Sequence, residues 1–505
     1  MRSKTAILTG ILVAGTVGTA MAIPFPSGIR TASTNLALSA GTTITYNLNQ
    51  AAATATIEVR DSGNAVVATF AGTTTVGVNS VVWNGTANNA GGAAVPIGTG
   101  YRFRVAVTGT EAAGWARYKA NGASTSVPII GDQDLATNWF PKGLAVSTDP
   151  DSDFFGNPMV GFGASGTQPA AAVIEFRSDL EVKASDNGLA SRVLRHPQDD
   201  GVAPVPASYT TWGMYWDPSN SNTLWTAGQS NSGEAEFLFG TASAGVLPTN
   251  ATNADPGNAV RGINQNPRGI AIQTISGTKY GFLCRGNQII DVVTINGSNQ
   301  FASYVGNILA ATGWTSANTR YSKNARFDSA GNFYWGSQRV NTTVGAENGK
   351  LYRWSAATLA AAIASPGTTP LTEANADWKI TSNVAAANQR LAGFAINPAN
   401  DVYVITVGNG MYNVGNITTT PLTVGVSSLT PVLLNTDFRT GANINGGTSE
   451  FWFDAAGNLI HIDGSGENIS AFSPGGASSQ AYTAPPSQTF QISATGVSDW
   501  NLMND

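Results

Sequence analysis

The chain has 505 residues, room for roughly two to four domains, yet only 11% of them are charged and the formal net charge is −5. Soluble surfaces built by design carry roughly 25–35% charged residues, so this one draws its polarity from Ser, Thr, Asn and Gly, and the lack of any basic run makes nucleic acid and anionic membranes poor partners. A single cysteine, Cys284, excludes an intrachain disulfide framework, and its place between Leu283 and Arg285 in a strand-like run reads as a buried structural thiol.

At the N-terminus, Arg2 and Lys4 precede an apolar run from Ala6 to Val17, and Ala20-Met21-Ala22 supplies the small-x-small pattern of a cleavage site. Residues 1–22 are therefore expected to be an export signal, with the mature chain starting near Ile23 outside the cytoplasm. The run is too short and glycine-containing for a membrane span, and no later stretch is long and apolar enough to provide one. Residues 23–41 read as an extended arm, a free strand suited to donation to a neighbour's sheet edge.

From about 42 to 110 apolar and polar residues alternate, the signature of antiparallel strands. In Ala55–Asp61, Ile57 and Val59 share one face while Glu58 and Arg60 take the other. Gly63 and Asn64 suit a tight hairpin turn, and Trp83 is placed to plug the core of a small sandwich. Through IEVRDSGNAVVATF, the VVWNGTANNAGG turn and the VPIGTGYRFRV strand, this region resembles the immunoglobulin-like module of flagellar hook-capping proteins. An extra Gly-Thr-Gly before Tyr101 and alanine padding at Ala90–Ala94 depart from that pattern and bear on the length of the last hairpin. The resemblance implies a spacer or assembly element without catalytic residues.

Residues 111–126 read as a linker, and 127–505 as a second domain made of a recurring unit. The clearest copies are Ala325–Ser337, Glu450–Gly464 and Leu391–Thr406; looser ones are Lys142–Gly163, Thr211–Gly228 and Arg268–Val293. Each has a short apolar strand, a turn of Asp, Pro, Ser, Gly or Asn, and a second aromatic or β-branched strand. Such sheets cannot bury both faces alone, and packing them around an axis does so with only short edges left. The markers Gly143, Gly213, Gly269, Ala325, Gly393 and Phe451 lie some 56 to 70 residues apart, wider than the roughly 40–50 of compact propeller repeats, so long loops are expected. Ser355–Ser365 reads as a short helix behind a capping serine. The fold class is thus all-β: an N-terminal immunoglobulin-like sandwich and a β-propeller of about six blades, with seven the next count. The strand-like Thr489–Asn501 is expected to pair with the first blade, beside Val127–Ile130, and close the circle. The repeats resemble the NHL and gluconolactonase-like propellers.

The chain has two histidines, His196 and His461. Propellers similar to streptogramin lyase use a histidine beside a magnesium site, and six-bladed lactonases a divalent metal held by carboxylates and asparagines. The alternation in LIHIDGSGE places His461 on the same side as Asp463, a general base oriented by a carboxylate or an inter-blade polar contact; His196 falls in a loop. Asp149, Asp151 and Asp153 alternate in an oxygen-rich turn that suits a structural Ca2+ but lacks the glycine and final glutamate of an EF-hand loop. Asp217, Asp328, Asn397 and Asp454 recur after the first strand of four repeats, where capping of the hairpin's own backbone accounts for them. Trp212, Trp216, Trp225, Trp335, Trp354, Trp378 and Trp452 read as wedges between blades; on an exposed rim they would stack on sugars or a partner. No cofactor is expected. These features point to an exported bacterial cell-surface or extracellular protein, non-catalytic, whose propeller binds a protein partner, a glycan or further copies of itself, with assembly into filaments or a surface layer as an extension. The alternatives are a metal-dependent hydrolase or lyase and a carbohydrate-binding propeller.

Overall fold

The computed structural model describes residues 23–89, 92–109, 114–122, 140–163, 172–181, 193–195, 210–229, 235–241, 267–285, 289–297, 299, 301–310, 320–339, 350–381, 391–406, 410–418, 423–425, 429–434, 438, 449–463, 468–476 and 479–494. Among these, no helix is long and apolar enough to cross a membrane.

The N-terminal strands are β1 (Pro26–Thr31), β2 (Asn35–Ala37), β3 (Thr42–Leu48), β4 (Thr54–Arg60), β5 (Val66–Ala71), β6 (Gly77–Trp83), β7 (Gly98–Thr108) and β8 (Ala116–Gly122). One sheet runs β1-β3-β6; the facing sheet carries β2, β7, β4 and β5. Period-two patterning sends Ile57 and Val59 inward, while Glu58 turns outward to Arg60 at 2.7 Å and Arg104 at 2.9 Å. Trp83 is fully buried, as its position predicts, stacked near Phe70 and edge-on to Phe103. At the β4–β5 turn Asn64 takes the left-handed φ of 67°.

Three segments take places other than those the sequence suggests. The expected arm at 23–41 is not free: β1 pairs with β3, and β2 pairs in parallel with the late strand Phe490–Ser493. That late strand does not close the propeller. It and Ser479–Thr483 both pair with β7, so the end of the chain completes the N-terminal sandwich. The stretch read as a linker holds β8, which is the outer strand of the last propeller sheet, paired with Asn468–Ser473. Val127–Ile130 lies outside the described residues. Two segments far apart in sequence thus complete each other's domain, because a strand edge accepts any suitable strand whatever its place in the chain.

The second domain is a β-propeller. Its first strands are β9 (Phe140–Val146), Thr210–Trp216, Pro267–Ile275, Arg320–Phe327, Leu391–Ile396 and Ser449–Phe453, and each opens an antiparallel hairpin. Successive first strands lie side by side, and the last packs on β9, so the ring closes. Apolar clusters sit between neighbouring sheets: Leu144 and Val146 against Ile460 and Ile462, Ala145 and Met159 against Met214 and Trp216, Trp225 against Ile270 and Ile272. The same holds for Phe282 against Phe333 and Trp335, Tyr334 and Trp378 against Phe394 and Val404, and Tyr403 against Phe453. Each face is dry only when its neighbour is present. Trp225, Trp335, Trp354 and Trp378 are buried wedges, as expected, and Trp216 nearly so. Cys284 is buried in the third interface. Helix α1 (Ala356–Ala364) forms where predicted, capped by the Ser355 hydroxyl, which accepts from the Thr358 N–H at 3.2 Å, and buries Leu359, Ala362 and Ile363.

The two domains meet along one seam. Phe25 packs on Phe155 and Tyr482, with ring centres 5.0 and 5.1 Å away. The Phe25 ring lies where any side chain at Gly156 would stand. Ser27 and Asn47 bond the Ser178 hydroxyl, and Asn49 donates to the Tyr118 hydroxyl.

Candidate functional site at the hub of the ring

In five first strands the register shifts just before Gly143, Gly213, Gly269, Asn324 and Gly393. Asn324 takes the glycine place in the fourth strand, and Glu450, four residues before the turn residue Asp454 as Gly213 is before Asp217, takes it in the sixth, whose described pairing has no shift. Glycine belongs there because neighbouring backbones crowd: a Cβ on Gly213 would lie 2.8 Å from the Ile270 nitrogen and 2.9 Å from Gly269.

Two residues further on, the six strands carry Ala145, Tyr215, Ala271, Arg326, Ala395 and Trp452. Small and large alternate around the ring, and the three large groups meet. The Arg326 guanidinium lies 4.1 Å from the Trp452 ring centre and 6.0 Å from that of Tyr215, and the two rings are edge-on at 5.7 Å. Arg326 donates to the Glu450 carboxylate at 2.8 Å and to the Ala325 carbonyl at 3.1 Å. Both charged residues are buried. A charge this deep persists only when paired, and the aromatic faces add cation–π attraction. Burial raises the Tyr215 hydroxyl pKa, against the pull of Arg326. Beside this plug is a cavity of about 460 Å³, with Trp452, Tyr482, Thr148, Ser329, Asn397 and Asn400 among its lining residues.

The recurrent turn residues serve their own hairpins, as expected. Asp328 Oδ1 accepts the N–H groups of Ala330 and Asn332, and its Oδ2 the Tyr334 hydroxyl. Asp454 Oδ1 accepts from Ala456 and Asn458; Asn397 Oδ1 accepts the Asp401 N–H. Asp217 adds a bond from Trp225 Nε1 and an ion pair with Lys279 at 2.7 Å. Burial pushes Asp217 up, but Lys279 and the bonds from Ser219 and Trp225 outweigh it and hold the carboxyl below its usual range.

Among the described residues no cation pairs with Asp454, and burial pushes its pKa up to about 6 against the hydrogen bonds from Asn458, Ala456 and Gly457. A raised carboxyl pKa makes the folded state favour the protonated form. Its stabilising contribution is therefore complete below the ordinary value of 3.8 and lost as pH rises through about 6. Asp454→Asn, an exchange that Asn397 shows the turn accepts, is expected to flatten urea-unfolding stability between pH 4 and 7 by on the order of 2–3 kcal/mol. An unchanged pH slope would refute this.

His461 is fully buried, stacked on Phe451 at 4.7 Å and edge-on to Phe438 at 5.2 Å. It fills an aromatic slot between the fifth and sixth sheets. The side chain of Asp463 and all of His196 lie outside the described residues. Asp149, Asp151 and Asp153 are not drawn to one point. Asp149 Oδ1 accepts the Asp151 N–H, Asp151 faces Arg102 of the sandwich at 3.8 Å, and Asp153 accepts from the Ser487 hydroxyl and from Asn222. Among the described residues no group of three or more His, Cys, Asp or Glu side chains is placed to hold a metal. Arg326, Glu450 and Tyr215 escaped the sequence reading; their signal is departure from the Gly and Ala of the other repeats.

The architecture and hub define an all-β protein in which an immunoglobulin-like sandwich is locked to a propeller with a plugged centre. Residues 32–111 match the FlgD Ig-like domain family, in agreement with the resemblance read from the sequence. No curated protein matches the chain. Among solved structures the chain is similar to the Cps50 (Swd1) β-propeller domain of Myceliophteria thermophila, at 9% identity over 67% of this chain and 98% of that one, with a TM-score of 0.37. It is also similar to the C-terminal WD40 domain of Sif2, at 9% identity over 67% of this chain and 97% of that one (TM-score 0.33). A putative exo-β-1,3-galactanase from Bifidobacterium bifidum matches at 8% over 58% of this chain and 96% of that one (TM-score 0.34). Likeness at this level concerns the fold alone, and the propeller rests on the strand pairing described above.

Proposed function

We propose that the protein is an exported bacterial surface or extracellular component, non-catalytic, whose six-bladed propeller is a platform for binding and assembly. The observation that carries this reading is how the polar groups of the repeats are spent: the turn carboxylates cap their own hairpins, and the hub cation is neutralised by Glu450 under Trp452. Reaction chemistry at a propeller hub needs polar groups free to meet a substrate, and here they hold the ring together. Export is supported by the sequence, where Arg2 and Lys4 precede the apolar run Ala6–Val17 and Ala20-Met21-Ala22 supplies a small-x-small cleavage pattern. Within the propellers, the repeat sequence still favours the NHL and gluconolactonase-like type.

A second reading, recognition of a hydroxyl-rich glycan, is favoured by the hub cavity, where Trp452 and Tyr482 stand beside Ser329, Thr148 and Asn400. Expression with the native N-terminus, cell fractionation and mass spectrometry of the first peptide test the main proposal. A product starting at Ile23 outside the cytoplasm supports it; full-length chain in the cytoplasm overturns export. Hydrolysis of a lactone panel that depends on added Ca2+ or Mg2+ would overturn the non-catalytic reading, and quenching of tryptophan fluorescence by an oligosaccharide would favour the second.

A further inference from the structure

The register shifts that crowd glycines at the hub also define a second ring of residues. In each of the five shifted strands one residue is left without a partner: between Pro141 and Gly143, Thr211 and Gly213, Pro267 and Gly269, Ser322 and Asn324, and Leu391 and Gly393. The skipped residues are Lys142, Trp212, Arg268, Lys323 and Ala392, and Ser449 holds the same place in the unshifted sixth strand. A bulge bends its strand and re-aims the extra residue. The chain has only 26 Lys and Arg among 505 residues, so three cations in five equivalent places exceed what composition supplies. They are scattered along the sequence, and only the closed ring brings them to one level.

Neighbouring places meet there. Lys142 Nζ lies 5.1 Å from the Trp212 ring centre, and a Cβ on Gly143 would stand 3.1 Å from the Trp212 carbonyl oxygen. This level is the mouth of the hub remote from the sandwich. The sandwich touches the turns that follow the first strands, through Arg102 on Asp151 and the Ile23 carbonyl on Asn458, whereas the bulges stand near the strands' beginnings. The plug of Arg326, Trp452 and Tyr215 lies three residues further along, about 10 Å at the rise of a strand, so whatever enters at this mouth meets a floor. Glu450, the one carboxylate carried by the six first strands, is bonded to Arg326 at 2.8 Å.

We propose that this mouth binds the charged end of an acidic oligosaccharide, its carboxylate held among Lys142, Arg268 and Lys323. This rests on the reading of the propeller as a binding platform and adds to it a ligand class and a site, at the opposite end of the hub from the cavity beside Tyr482. The anion follows from three cations set around one opening: like charges brought together repel, and a carboxylate among them relieves the repulsion and accepts charge-assisted bonds. A sugar, as opposed to a bare ion, follows from the fourth place, where the Trp212 indole beside Lys142 offers an apolar face to the C–H side of a pyranose. A ring with a floor admits a chain end, not a polymer laid across it, which sets this ligand apart from nucleic acid.

The test titrates the mature chain by calorimetry with trigalacturonate, with neutral maltotriose and with inorganic phosphate. Trigalacturonate is expected to bind, more weakly as salt is raised, and maltotriose is not. Lys142→Gln, Arg268→Gln and Lys323→Gln should each weaken binding by about tenfold, the worth of one charge-assisted bond, with circular dichroism unchanged; where one variant fails to fold, the other two carry the test. Phosphate binding as tightly as trigalacturonate overturns the sugar and leaves a site for bare anions. Equal binding of maltotriose, or trigalacturonate binding undiminished in the variants, overturns the site. No binding by any of the three overturns the proposal alone, because export and the lack of catalysis are tested without a sugar acid.

Discussion

Arg326→Met is expected to lower the unfolding free energy by about 3–5 kcal/mol, the usual cost of stranding one partner of a buried ion pair. Arg326 is ion-paired with Glu450, and it fills the space between Trp452 and Tyr215. Methionine keeps much of the volume and none of the charge, so the buried Glu450 carboxylate loses the cation it is bonded to at 2.8 Å. Glu450→Gly in the Arg326→Met background should recover most of the loss, because Gly143, Gly213, Gly269 and Gly393 show what the first strand accepts at that place. The pair would then behave as replaceable charge in a packed interior, where apolar substitution of both members is often neutral. Urea unfolding followed by tryptophan fluorescence reads the single and double variants. If Arg326→Met unfolds within 1 kcal/mol of wild type, roughly the worth of an exposed pair, the hub is open to water and the plug does not exist.

The elements that were legible in the sequence are those decided locally. Asp328 and Asp454 announce hairpin turns because the carboxylate and the N–H groups it accepts lie within four residues. Ser355 announces α1 by the same short reach, and Ile57 and Val59 announce their strand by alternation. The plug was illegible because Tyr215, Arg326 and Trp452 come from three repeats and become neighbours only once the ring closes. Arg326 in a strand otherwise reads as solvent-facing, and Glu450 as an ordinary polar residue. Asp149, Asp151 and Asp153 look like a calcium loop because alternating carboxylates satisfy that pattern, but Arg102 and Ser487, which engage two of them, belong to segments distant in sequence. The same limit applied to β8 and to the strands after Ser479. A strand's sequence records its two faces, not which edge it will join.

That exchange of strands has the largest expected consequence. Phe490 sits in the sandwich core, 4.7 Å from Phe103, 5.6 Å from Tyr101 and 6.0 Å from Trp83 by ring centres, although about four hundred residues separate it from them. Ser479–Thr483 covers the β7 side that β4 leaves open, and Ile492 and Ala484 fill out the same core. Phe490→Ala should cost about 3–5 kcal/mol, as for other large-to-small core changes, and deletion of residues 479–505 removes two strands as well. In the deletion variant limited proteolysis is expected to cut first between residues 42 and 110, since β7 loses its pairing and Trp83 its cover, while the apolar interfaces between propeller sheets, which contain none of the deleted residues, resist. Mass spectrometry of the earliest fragments distinguishes the outcomes. If 42–110 survives intact and the first cuts fall in the ring, the sandwich is self-sufficient and the returning strands merely lie against it. If the sandwich opens first, the immunoglobulin-like part of this chain folds only with strands supplied by its far end, and a fragment ending at residue 111 is an incomplete domain.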